Sequence, residues 1–192
     1  MSLLPIFPLG TVLVPGQVMP LQLFEPRYLA LHADLMALPE EERAVGVVLI
    51  RQGHEVGAGR EGTLTRVGCE GVLSEHREVL ADGRPLVAWV LHGRRRLRVD
   101  EVIAPDASRP YLSADVTWLD DLSDEATIRA ALGDHARAAQ AGLTVAQRQL
   151  LLECDPAERA ALADRLIREE EALQRRFSSR SVHESAGGFS LN

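Results

Sequence analysis

At 192 residues, with 46% hydrophobic side chains and a formal net charge of −7, the chain can build a core but is too acidic for a general nucleic-acid or anionic-membrane binder. No apolar run approaches the roughly 20 residues that span a bilayer, and no basic-then-apolar leader with a cleavage pattern opens the chain, so a cytoplasmic protein is expected. All 21 basic residues are arginine, which excludes a serine–lysine dyad, a phosphate-loop lysine and a Schiff-base lysine.

The opening stretch Leu4–Tyr28, LPIFPLGTVLVPGQVMPLQLFEPRY, carries prolines at positions 5, 8, 15, 20 and 26. Each fixes φ and removes a backbone donor, so one helix or one long central strand is ruled out. Short extended pieces turning at Pro15-Gly16 are expected, with Pro26 opening a helix. Tyr28, Leu31, Leu35 and Leu38 recur at helical spacing, and Pro39 sets the end of that helix. Glu40–Glu42 reads as a solvated turn.

Ala44–Ile50, AVGVVLI, is a strand buried on both sides. A polar, glycine-rich loop follows from Gly53 to Gly62, then an alternating strand over Thr63–Cys69 that continues less regularly to Leu80. Asp82-Gly83 is a hairpin turn. Leu86–Leu91 is a further strand, His92-Gly93 a turn, and Arg94–Ile103 a strand of period two. It sets Arg94, Arg96 and Arg98 on one face and Leu97, Val99 and Val102 inward, with a bulge at Asp100-Glu101. Tyr111–Leu119 is the last strand.

From Asp120 the composition turns helical. Ser123 caps a helix stopped by Gly142, and Thr144 with Gln147 forms a capping box for a short helix ending near Glu153. Asp155, Pro156 and Glu158 start a third helix running to about Phe177, with Leu162, Leu166, Ile167, Leu173 and Phe177 inward. The expected organisation is an α+β chain. Residues 1–122 form a closed or partly open barrel of about six strands with one inserted helix, 123–177 a helical subdomain, and 178–192 a mobile tail.

The residues that carry chemistry elsewhere assemble poorly here. Gly57–Gly62 spells G-x-G-x-x-G, but it feeds a strand and not a helix, so a loop is expected and not a dinucleotide site. The histidines have no metal-ligand spacing, and Cys69 and Cys154 stand in no paired motif; no metal and no cofactor is implied. Ser74 and His76 share a strand face but lack an orienting acid and an oxyanion hole. The Arg94/Arg96/Arg98 face is the candidate for tracking RNA phosphates, against which stand the acidic total and the lack of interleaved aromatics. Glu25, Arg27 and Tyr28 mark either a packed strand-to-helix corner or a rim that contacts a client peptide.

Taken as an ordered set, these pieces resemble the LON domain, the N-terminal substrate-binding domain of Lon-type ATP-dependent proteases. The proline-rich opening, Ala44–Ile50, Glu61–Val67, the arginine-rich Gly93–Val102, Pro110–Leu119 and Leu143–Leu152 carry the likeness. It implies a PUA-like barrel followed by helices, and a non-catalytic module that binds unfolded or extended protein segments. The departure from the family is length: the chain stops after a short helical part, so a free-standing domain without ATPase and peptidase parts is expected, working alone or with a Lon-type protease. Self-association through the long last helix is a further expectation.

Overall fold

The prolines of the leader do break it into short extended pieces. In this computed structural model, which describes residues 2–51, 64–81, 83–119 and 125–184, β1 spans Ser2–Leu9 and β2 spans Val18–Leu23. The turn between them uses Gly16 at φ 82°, and the Gln17 amide donates to the Val14 carbonyl at 3.0 Å. β1 changes partner midway: residues 2–5 pair antiparallel with β6 (Ser113–Leu119) and residues 6–9 pair parallel with β3 (Ala44–Leu49). Pro5 and Pro8 fall in different halves, so each missing N–H can face the side without a ladder.

β4 (Val67–Ala81) and β5 (Arg84–Ile103) form the long central hairpin. Gly83 at φ 74° sits in its two-residue turn; Asp82 lies outside the described residues. β5 pairs with β4, β4 with β3, β3 with β1, β1 with β6, and β6 returns to β5, which closes a five-stranded ring. β2 adds to the first half of β5 as an edge strand. Inside, Leu4, Ile6 and Leu97 crowd Gly46, where a Cβ would lie 2.8 Å from the Ile6 side chain. This α+β sheet with a ring closure followed by helices is the architecture read from the sequence.

Two boundaries differ. β5 runs unbroken through His92-Gly93, where a turn was expected. Gly93 is needed for close approach: a Cβ there would sit 2.1 Å from the Val14 carbonyl oxygen, and its own amide donates to Gln17 at 2.8 Å. The glycine lets the leader dock against the strand instead of ending it. β4 begins at Val67; an isolated bridge joins Leu64 to Ile50 before it, and Thr63 lies outside the described residues. The expected bulge is present, as the β5–β6 register slips between Val99 and Glu101.

α1 (Pro26–Met36) buries Tyr28, Leu31, His32 and Leu35 against Phe7, Val45, Val47 and Trp89. Glu40–Glu42 is a short exposed 3₁₀ turn. α2 (Glu125–Gln140), α3 (Val145–Glu153) and α4 (Pro156–Glu184) follow. Gly142 at φ 79° lies just past α2, and Thr144 and Gln147 make the expected reciprocal box. Ser123 lies outside the described residues. α4 continues past Phe177 to Glu184, and Leu173, expected inward, is half exposed. The helices join the barrel through Val12, Val14, Leu49 and Leu152. No helix among the described residues is long and apolar enough to cross a membrane.

The two glycines offer a contrast. Gly93→Ala meets backbone that cannot move aside and should lose about 3 kcal/mol. Gly83→Ala has open space around it and should lose only about 1–2 kcal/mol, from its backbone angle. Urea unfolding of both variants checks the ranking; equal losses would contradict the docking role given to Gly93.

Candidate functional site

The arginine-rich half of β5 is not one open face. Arg94 holds Glu70 with two bonds, 2.7 Å from Nε and 2.6 Å from Nη2. Arg95 donates to the same carboxylate at 2.9 Å and lies 3.6 Å above the Trp118 ring. Glu70 is almost fully buried, so two guanidiniums serve one carboxylate taken out of water. Arg98 donates to Asp100 at 2.8 Å. Arg96, expected to share the solvent face with Arg94 and Arg98, is buried at 4% exposure. The row is divided among ion pairs and an interior contact, so Arg94, Arg96 and Arg98 do not form the single solvent face expected of them.

Arg96 points under the end of α3. Its Nη1 donates to the carbonyls of Leu152 and, at 2.9 Å, Cys154. Arg159 of α4 donates from Nε to Leu151 at 3.1 Å. A helix ends with carbonyls that lack intrahelical partners. α3 has no glycine cap and no basic residue in its last turn, so two guanidiniums from other elements take that place and meet the negative end of its dipole. Burial first, then neighbouring Arg159, lowers the Arg96 pKa to about 10, so it remains charged at neutral pH. The sequence signal was a helix whose C-terminus had no donor of its own.

His135 of α2 faces the same region. Burial first, then Arg159, Arg148 and Arg96, pushes its pKa down from 6.5 to about 4. It is neutral in the fold.

Glu25, Arg27 and Tyr28 form a packed corner. Arg27 Nε pairs with Glu25 at 3.0 Å, the guanidinium lies 4.5 Å from the Tyr28 ring centroid, and that ring is 4.3 Å from Phe7. Beside the corner a cavity of about 190 Å³ opens between Phe7, Leu9, Leu21 and Phe24, and Phe24 is well exposed.

His32, His76 and Glu78 are the described residues close enough to share a metal ion, a grouping not visible in sequence spacing. The geometry argues against that use. The Trp89 indole N–H donates to His32 Nδ1 at 3.1 Å, and an indole nitrogen can only donate. Nδ1 is therefore the acceptor, and Nε2 carries the proton that reaches Glu78 at 3.0 Å. A metal on Nε2 would leave the ring with no proton at all. The trio ties α1 to the central hairpin. Ser74 donates its hydroxyl to the Val90 carbonyl at 3.0 Å and not to His76, whose ring packs near His32. His54 and the Gly57–Gly62 motif lie outside the described residues.

A wide opening lies between barrel and helices. It measures about 780 Å³ and is lined by Leu49, Ile50 and Arg51 on one side and Val145, Ala146, Gln149, Leu150 and Glu153 of α3 on the other. Leu150 is half exposed in it. Gln149 donates to Val67 and to Glu153, both at 2.9 Å, and Arg51 pairs with Glu153 at 3.3 Å. Its walls are mainly apolar, with an ion pair along one edge.

A ring-closed sheet with a helical unit seated at one end, and a groove at the seam, defines the class of this protein. The ATP-dependent protease La (LON) substrate-binding domain matches residues 3–178, and the chain belongs to that family. A crystal structure of a Lon N-terminal domain protein from Xanthomonas campestris is similar at 26% identity and a TM-score of 0.56, over 81% of this chain and 93% of that one. The N-terminal domain of a Mycobacterium avium complex Lon protease shares 16% identity with a TM-score of 0.55, over 86% and 98% of the two chains, a likeness of fold. No curated protein sequence matches the chain.

His135 makes stability pH-dependent with a definite sign. The unfolded chain takes up the proton near 6.5 and the folded one only near 4. The stabilisation from its neutral form is therefore complete above about pH 6.5 and is lost as pH falls toward 4. Urea unfolding should show a loss on the order of 3 kcal/mol across that window, beyond the loss seen in His135→Leu. Parallel pH profiles for the two proteins would contradict it.

Proposed function

We propose that this chain holds extended segments of other proteins in the groove between β3 and α3, and does not process them. The observation that carries the reading is the groove itself. Its volume of about 780 Å³ falls within the roughly 300–1,000 Å³ of ligand-binding clefts. Leu49, Ile50, Val145 and Leu150 offer side chains for apolar contact, while the Arg51–Glu153 pair can exchange its partners for backbone groups of a bound strand. Membership of a substrate-binding domain family supports a protein as the occupant.

Strand addition to β2 is the weaker route. Pro20 pairs with Val90 at a position where the strand's N–H would point away from β5. The open edge therefore lacks a donor at its centre, a common defence against unwanted pairing.

Leu150 is exposed enough for Leu150→Arg to fold normally, yet the new charge would stand in the groove. Isothermal titration with a permanently unfolded model protein should show binding to the wild type and a loss of about tenfold or more in the variant. Equal affinity for the two would move the site elsewhere, and no binding to the wild type would overturn the function.

A further inference from the structure

Where α2, α3 and α4 meet, three buried polar atoms find no hydrogen-bond partner among the described residues: His135 Nδ1, Arg148 Nε and Arg159 Nη2. His135 and Arg159 are 4% and 3% exposed. Each residue comes from a different helix, and Arg148 shares a face of α3 with Leu151 and Leu152, whose carbonyls receive Arg159 and Arg96. The two guanidinium nitrogens can only donate, and the imidazole Nδ1 donates in its N–H tautomer. Among the described residues the unpartnered atoms are thus two guanidinium donors and an imidazole nitrogen that can join them as a third.

Charge runs the same way. Together with burial, Arg159 and Arg148, with Arg96 of β5 beyond them, bring positive charge to His135 and hold its imidazole neutral. A water placed here would satisfy at most two of the three donors. A small oxyanion brings several acceptors and a negative charge to the Arg148 and Arg159 guanidiniums.

We propose that His135, Arg148 and Arg159 hold an oxyanion of the phosphate or sulfate class at the joint of the three helices. The site is separate from the groove. Its effect is to lock α2, α3 and α4 together, so that the anion acts as a removable strut behind α3.

Thermal unfolding of the full chain in chloride, sulfate and phosphate at matched ionic strength tests this. The wild type should show a saturable rise in Tm with phosphate. Arg148→Gln, at the less buried member, should weaken half-saturation by at least about tenfold, with its Tm in chloride unchanged or higher because a buried positive charge is gone. The same unsaturable rise in both proteins would be general salting-out and would overturn the site, as would no rise in the wild type. A second readout needs no variant: phosphate should move the His135 ring titration upward in NMR, and an unmoved titration would overturn the proposal.

Discussion

The buried guanidinium of Arg96 is the contact on which the relation of barrel to helices depends. It leaves β5 on the inner side and donates to the carbonyls of Leu152 and Cys154. Taking a guanidinium out of water is costly, and its lowered proton affinity records that cost. Charge-assisted bonds to carbonyls that would otherwise be orphaned offset it, at roughly 1.5–3 kcal/mol each. With Arg159 on Leu151, the end of α3 is gripped from both sides. α3 is one wall of the groove, so this grip also sets the width of the groove.

Two further constraints hold the other wall. The leader docks through Gly93, whose lack of a side chain admits the Val14 carbonyl, and this brings Val12 and Val14 to Leu49 and Leu152 in one apolar cluster. On the far side the Trp89–His32–Glu78 chain fixes α1 over the hairpin. The barrel is thus braced on two sides, and the groove proposed to bind lies at the seam where the barrel meets the helices rather than inside either of them.

Much of the fold was legible because its signals are local. Pro26 marked the start of α1, Thr144 and Gln147 the box of α3, and Gly142 the stop after α2. Period two in Leu97–Val102 placed the bulge. What escaped was set by distant contacts. Gly93 looks like a turn in a string of residues and becomes a docking notch only once Val14 lies against it. Arg96 reads as solvent-facing by alternation, because nothing nearby shows that the end of α3 will need a donor. The groove draws on Leu49 and Leu150, a hundred residues apart, so no spacing could announce it. The family likeness supplied the class of function but pointed to no surface.

Hydrogen exchange on Arg96→Met tests the central claim most directly, since methionine keeps much of the volume while removing every donor. The account calls for faster exchange across α3 and the start of α4, with β1, β3 and β4 as protected as in the wild type. Unchanged protection in α3 would show that the helices stay seated without the buried guanidinium, and would contradict the account.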